Sequence, residues 1–438
     1  MNIVKKTITE IIDTEYKAFA LYTLEHRAIP SYIDGQKSVG RKLIYSMINN
    51  YKGKKIKVNE LGSSIASVAN YHHGETSAQK AVVTMTATWN NNVPLFNGYG
   101  NFGSRLIQES SAPRYIYAEM NPDFYKYFTD FAVCNENSDK DNPEPQQYLP
   151  LIPWVLVNGI EGIAVGFACK FLSHDAKDIA SLCIKALNGK LKDTHVLEVK
   201  LPFFKGEIIQ VASNIIATRG LVERSKKNTW TISELPWGYD REKYFNVLEK
   251  LVVDKKIIDF DDLCDESGFR FVVKMDSDCD IKCENNPIDY FKLEKTITEN
   301  YTALDENGNL IIFENKIDII NTFVKFRIGK IKERIDYDIA KIAKDIHWNS
   351  TKLLFTNDVV NKKLALLNVT RSELTNKCIE KYKIEKDMAT RLLSIPIYDM
   401  TADMIHELEN KIDKLNESKD TLTETDPIVE YIRLLKAI

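Results

Sequence analysis

The sequence predicts an α+β, multidomain protein, and three observations lead there. First, 438 residues of which 44% are hydrophobic supply several cores, since single cores stop growing well below that length. Second, both ends carry helical periodicity: Ile8, Ile11, Ile12, Ala18 and Tyr22 near the start, then Ile328, Ile331, Ile335, Ile339, Ile342 and Ile346, and again Met404, Leu408, Ile412 and Leu415. Third, β-rich runs such as Thr229-Trp230-Thr231-Ile232 and Phe269-Arg270-Phe271-Val272-Val273 lie between them.

Composition excludes several classes. No apolar run reaches the ~18 residues of a membrane span, and no secretory leader opens the chain, so an intracellular, cytoplasmic protein without membrane contact is expected. Seven cysteines, odd in number and without a CxxC pair, argue against a disulfide framework and a structural zinc site. Net charge is −3, yet residues 1–57 carry eleven Lys/Arg against five Asp/Glu. That local surplus has the form of a phosphate-binding face, or of a solvated lysine face. Asp276-Ser277-Asp278-Cys279-Asp280 imitates an acidic metal motif but is read as a loop after a strand.

In chain order, the first helix spans Ile8 to Leu24 and breaks at Arg27-Ala28-Ile29-Pro30, before an Asp34-Gly35 turn. Gln36 to Met47 reads as a second helix with Lys37 and Arg41, four apart, on one face. Two helices around a tight turn, with cations on the second, outline a helix-turn-helix unit. Tyr71-His72-His73-Gly74-Glu75 then turns into a helix ending near Trp89. The paired histidines have one carboxylate close by in sequence, Glu75, so a hydrogen bond to phosphate or sugar fits them better than a metal. Gly98-Tyr99-Gly100-Asn101-Phe102-Gly103-Ser104 calls for a sharply turning backbone. Shortly after it, Arg114 stands beside Tyr115. A phenol with a pKa of about 10 is a poor nucleophile until a cation or metal lowers that pKa and neutralises the phosphate it attacks. Val155-Leu156-Val157 reads as a buried strand leading to the glycine turn Gly162 to Gly166. The periodic segments bracketing Lys352–Thr401 suggest a long antiparallel coiled coil with a globular tip.

Arg27-Ala28-Ile29-Pro30, Asp34-Gly35-Gln36-Lys37 with Arg41, Tyr71-His72-His73-Gly74-Glu75, Gly98-x-Gly-x-Phe-Gly-Ser, Arg114-Tyr115 and Asn158-Gly159-Ile160-Glu161-Gly162-Ile163-Ala164-Val165-Gly166 occur in that order. Together they resemble the breakage-reunion part of type IIA DNA topoisomerases, shared by the A-type chain of gyrase and eukaryotic topoisomerase II; size and boundaries are most like the bacteriophage versions. The resemblance implies a winged-helix domain with the catalytic tyrosine at 1–155, a tower domain at 156–316, and a coiled coil with a dimer gate near Leu392–Ile397 at 317–438. It implies that Tyr115 attacks a DNA phosphodiester to form a transient 5′-phosphotyrosine, that Arg114 steadies the transition-state phosphate, and that Arg27, Lys37, Arg41, Lys42, His72 and His73 line the scissile site. Ile163 becomes the wedge that enters a base step and bends the duplex. Asp34 is a turn and ion-pair residue. Lys205, Arg219, Arg224, Lys226 and Lys227 could hold flanking DNA. Lys37-Ser38 and Arg41-Lys42 stand where the family usually has Lys-Pro and Arg-Arg, and Pro113 where a small residue is commoner.

Resealing a phosphotyrosine bond needs no cofactor, but cleavage needs Mg²⁺ on the phosphate and leaving oxygens. The family's Glu-Gly-Asp-Ser metal element is absent from this sequence, as is a phosphate-binding ATPase loop. Mg²⁺ and ATP are therefore expected on a partner subunit carrying the ATPase and acidic domains, with double-stranded DNA and a second copy of the chain as the other partners. The expected activity is ATP-dependent relaxation and decatenation rather than negative supercoiling, because little chain follows the coiled coil. The alternative is a non-catalytic DNA-binding and bending scaffold, against which the intact Arg114-Tyr115 pair argues; a one-subunit strand transferase lacks the metal site.

Overall fold

The computed structural model describes residues 6–364, 369–396 and 400–438. It mixes helix and sheet and divides into two compact units, Met1–Arg327 with Ile432–Ile438, and Ile328–Tyr431. Among the described residues no helix is long and apolar enough to cross a membrane.

The first unit opens with helix over residues 8–28, which widens to i→i+5 turns at Ile12–Tyr16 and Leu24–Ala28. It therefore runs four residues past Leu24, closing with Ile29 N–H on the Leu24 carbonyl at 3.2 Å. Pro30 then forbids continuation. The apolar residues that define its periodicity, Ile8, Ile11, Ile12 and Tyr22, are exposed.

Three helices, Ser38–Asn49, Val58–Val68 and Glu75–Thr86, pack together and against a small antiparallel sheet. Its strands β1 (Ile56–Lys57), β2 (Phe96–Tyr99) and β3 (Tyr117–Met120) lie in the order β1-β3-β2. The helices face each other with Leu43, Ile44, Met47, Leu61, Ile65, Ala78 and Val82, all fully buried. Gly62 lets two of them approach closely, since a Cβ there would lie 2.7 Å from the Gln79 side chain. The apolar run expected as a strand is instead a buried helical turn, Trp154–Leu156, that starts at Pro153 and donates Trp154 N–H to Ile33 O at 3.1 Å. A short apolar run carries no period that separates the two. A hairpin follows, β4 (Ile160–Ile163) against β5 (Ala168–Phe171).

Two larger antiparallel sheets also lie in this unit, beside a short hairpin of Thr302–Leu304 against Leu310–Ile312. One orders Glu294–Thr298, Ile215–Arg219 and Glu207–Ala212; the other orders Asp259–Asp262, Phe271–Lys274, Thr229–Glu234 and Leu221–Lys226. Trp230, Ile232, Tyr244, Leu248, Phe271, Val273 and Phe291 form the core of the second. Asp276–Asp280 is no loop. Asp276 caps the helix Ser277–Asn285, accepting from Cys279 N–H at 2.8 Å, and Asp280 is buried under Trp230 Nε1 at 2.8 Å. Arg219 and Arg224, expected on flanking DNA, are engaged by Glu294 and Asp280. All seven cysteines are free thiols.

The helix Lys316–Val360 begins in this unit, where Arg327, fully buried, donates to Pro150 O at 2.9 Å and to Asp130 Oδ2 at 2.6 Å. In the second unit its later turns run antiparallel to the helix Ala402–Glu424 and the start of the helix Pro427–Leu435. Lys352 Nζ meets Met404 Sδ at 3.9 Å, and Arg334 pairs with Glu430 at 2.8 Å. Ile331, Ile335 and Leu408 are buried, as their spacing requires. Helices Arg371–Tyr382 and Lys386–Leu392 then enclose Phe355, Cys378, Ile384 and Leu392 in a separate core. Ile397, the end of the expected gate segment, lies outside the described residues, as does Lys5 of the basic N-terminal run.

Candidate active site

Tyr115 ends a turn whose backbone is fixed on both sides. Its N–H donates to Ala112 O at 2.9 Å; Asn59 N–H reaches Pro113 O at 3.2 Å, and Val58 N–H reaches Ile116 O at 3.0 Å. Ile116 is buried while Tyr115 is 70% exposed, so a clamped backbone presents a free phenol. The glycine-rich run supports Ile116 from behind. Gly100 has φ +107°, and a Cβ there would lie 2.7 Å from Ile116 Cγ2. That is why the run precedes the tyrosine: it lets a loop press onto its neighbour. Arg114 places its guanidinium carbon 5.5 Å from the Tyr115 ring centroid, close enough for attraction to the ring face.

Pro113, two residues before this phenol, lines a cleft of about 1320 Å³. Arg27, Lys37 and His73 line it too. Burial, followed by the nearby Arg27 and His72, holds the His73 imidazole below its ordinary pKa. Tyr71 stands edge-on to it at 5.3 Å between ring centroids. Burial likewise lowers Lys37, opposed by Cys169 and Glu161. Its Nζ donates to the Glu161 carbonyl at 2.8 Å.

Arg41 and Lys42 sit elsewhere. Lys37 is the extended residue before the helix Ser38–Asn49, so it does not share a helix face with Arg41. Arg41 turns inward, with Nε on Asp34 Oδ2 at 2.8 Å. Lys42 is buried against Glu144 at 2.8 Å and Asn142 Oδ1 at 2.7 Å. Helix geometry explains both: Leu43, Ile44 and Met47 must face the core, and residues 41 and 42 are carried under the neighbouring loops, where carboxylates meet them.

Ile163 is 88% exposed at the end of β4, on a hairpin closed by Ala164 N–H to Phe167 O at 2.8 Å. Gly162 seats the hairpin against the chain just after Arg27, because a Cβ there would lie 2.0 Å from the Ala28 carbonyl oxygen.

Four lysines of the cleft escape a reading of the sequence: Lys80, Lys170, Lys243 and Lys295. They come from the helix Glu75–Thr86, β5, the helix Arg241–Val253 and the strand Glu294–Thr298. Lys80, one helical turn beyond Thr76, was within reach of helical spacing. Nothing in linear order joins the other three.

The family profile described as the A-type chain of DNA gyrase/topoisomerase IV matches residues 27–435. The chain is 34% identical over 446 residues to the DNA topoisomerase medium subunit of Enterobacteria phage T4, covering 100% of both. It is 27% identical to the mitochondrial DNA topoisomerase 2 of Dictyostelium discoideum, over 92% of this chain and 32% of that one. Among solved structures, the Plasmodium falciparum topoisomerase II DNA-binding, cleavage and re-ligation domain superposes with a TM-score of 0.89 at 26% identity, over 98% of this chain and 63% of that one. The chain thus spans about a third of the slime-mould enzyme and all of the phage protein. By the span of the profile and the full-length likeness, the chain belongs to the DNA gyrase/topoisomerase IV family of A-type chains.

Proposed function

We propose that this chain is the DNA-cleaving and rejoining subunit of a type II DNA topoisomerase, with Tyr115 as the nucleophile. One observation carries the reading: an exposed phenol on a clamped turn, beside a guanidinium and at the edge of a cationic cleft. In the reaction the Tyr115 oxygen attacks a backbone phosphorus. The phenol gives up its proton, the bond to the 3′ oxygen breaks, that oxygen takes up a proton as a hydroxyl, and the 5′ phosphate stays on the tyrosine. Resealing is the reverse. Arg114 offsets charge on the phosphate oxygens as the pentacoordinate geometry forms, and the clamped turn keeps the phenol oriented. His73 can hydrogen-bond the phosphate or sugar through its ring nitrogens. Arg27 and Lys37 position the backbone, and Ile163 is the wedge.

The reading extends to architecture. Residues 1–155 would form a winged-helix domain, supported by three helices on a small sheet. Residues 156–316 would form the tower, supported by the two larger sheets. Residues 317–438 would form the coiled coil and dimer gate, supported by the helix that starts at Lys316. A second copy would join there about a two-fold axis and set two Tyr115 phenols on opposite strands, so that a second duplex can pass and DNA can be relaxed or decatenated. Among the described residues no group of three or more His, Cys, Asp or Glu side chains is placed to hold a metal ion. We assign both Mg²⁺ and ATP to a partner subunit, because this sequence lacks the family's acidic Glu-Gly-Asp-Ser element and a phosphate-binding ATPase loop.

Covalent trapping tests the assignment. The chain, with and without a partner subunit, is mixed with end-labelled duplex and Mg²⁺ and quenched with detergent. An adduct that requires the partner and vanishes in Tyr115→Phe is expected. Tight DNA binding with no adduct under any condition would leave only a bending scaffold.

A further inference from the structure

Lys170, Lys243 and Lys295 converge on one wall of the cleft, and a carboxylate stands among them. Glu161 Oε2 lies 3.3 Å from Lys170 Nζ. Lys295 sits 5.3 Å from the Tyr239 ring centroid. Its pKa is held below the usual lysine range by burial first, then by Lys170 and Lys243, with Glu161 acting in the opposite sense. Lys243 pairs with Asp240 at 2.8 Å. The Glu161 backbone is held separately, by Lys37 on its carbonyl at 2.8 Å. Its carboxylate is thus free to leave while the hairpin stays seated.

We propose that Glu161 is an internal counter-ion that stands where a DNA phosphate belongs, beside Lys170 and Lys295, and that an entering duplex displaces it. This rests on the reading of the cleft as a DNA site. Carboxylate and phosphodiester each carry one negative charge, so the exchange leaves the lysine cluster neutralised throughout. An ion pair as exposed as Glu161 with Lys170 contributes little, which makes it replaceable. Glu161 lies two residues before Ile163 on the same strand. Arrival of the phosphate is therefore registered on the hairpin that carries the exposed apolar tip. The built-in anion also has a thermodynamic signature. The cations released on binding come from the DNA, and the displaced carboxylate takes one back up beside the duplex, so the salt dependence is shallower than the number of phosphate-contacting lysines implies.

The test measures fluorescence anisotropy of a labelled short duplex on the full chain, from about 50 to 200 mM KCl, for wild type, Glu161→Gln, Lys295→Ala and Lys295→Ala/Glu161→Gln. Glu161→Gln is expected to bind about two- to fivefold more tightly at low salt, with a log–log salt slope steeper by about 0.9. Lys295→Ala is expected to bind more weakly with a shallower slope, and to shrink the gain from Glu161→Gln. Altered packing alone would not steepen a salt slope. Unchanged or weaker binding by Glu161→Gln overturns the inference while leaving the cleavage reading intact, provided wild type still forms its adduct. Absence of duplex binding by wild type overturns both.

Discussion

Replacing Arg41 by alanine decides whether its guanidinium serves the protein interior or the DNA surface. Asp34 is fully buried, and its carboxylate accepts from Arg41 Nε at 2.8 Å, Gln36 N–H at 2.9 Å and Tyr148 N–H at 3.0 Å. Arg41 Nη2 also donates to the Gln36 carbonyl at 2.8 Å. Alanine leaves the carboxylate buried with two backbone donors and no counter-charge. Removing one partner of a buried pair costs about 3–5 kcal/mol. The two surviving N–H···O bonds are charge-assisted and hold part of that charge, which puts the loss at the low end, about 3 kcal/mol. An arginine facing solvent or phosphate would change stability by no more than about 0.5 kcal/mol. Urea unfolding followed by tryptophan fluorescence separates these outcomes. In the double variant Asp34→Asn/Arg41→Ala no charge is stranded, so the loss should be smaller than the sum of the single losses. Wild-type stability in Arg41→Ala, combined with weakened DNA binding, would refute the reasoning.

His174 gives the pH dependence: it is fully buried, donates Nδ1–H to Glu198 O at 2.8 Å, and burial together with Lys316 pushes its pKa down to about 3. The unfolded chain binds a proton that the folded one refuses, so stability is fully present above the ordinary histidine value of about 6.5 and falls as pH drops toward about 3, by up to about 1.4 kcal/mol per unit; acid titration of His174→Asn, which can still donate to Glu198, should be flatter over that window. Ile163→Ala, at an exposed position, should leave the unfolding midpoint unchanged while reducing duplex bending measured by energy transfer between labelled DNA ends; equal bending would remove the wedge role. Gly162→Ala drives a methyl into the Ala28 carbonyl, a backbone clash no rotamer relieves, and should cost about 1–3 kcal/mol with adduct formation falling more than binding. Phe355→Ala, which empties the centre of the second unit's small core, should cost about 3–5 kcal/mol, seen as an earlier transition in differential scanning calorimetry.

Local periodicity carried the helices well. Ile331 and Ile335 are buried where a three-to-four spacing puts them, and Thr229–Glu234 and Phe271–Lys274 pair as adjacent strands. It failed where period and environment part company. Val155-Leu156-Val157 is buried on every side, so either a strand or a tight helical turn hides it equally well; only Pro153 hinted at the turn. Asp276 looked like a loop because polar residues crowd there, but crowding of that kind is also what a helix N-terminus attracts. The helix over residues 8–28 is the opposite case: a regular apolar spacing that the single chain does not bury.

The candidate site divides along the same line. The placement of Arg114, Tyr115, His73 and Ile163 was legible because each sits on a local device: a turn, the approach to a helix N-terminus or a glycine-flanked hairpin. Arg41 and Lys42 misled because a cation in a basic stretch looks the same whether it faces phosphate or a carboxylate from another part of the fold, here Asp34 seven residues away and Glu144 a hundred residues on. Lys170, Lys243 and Lys295 were invisible for the converse reason. Each is an ordinary surface lysine in its own segment, and only tertiary assembly makes three of them share a wall with Glu161. Charge runs in a sequence therefore overstate local basic faces and understate those assembled across strands. In this chain the assembled face is the one bearing a carboxylate that a DNA phosphate can replace.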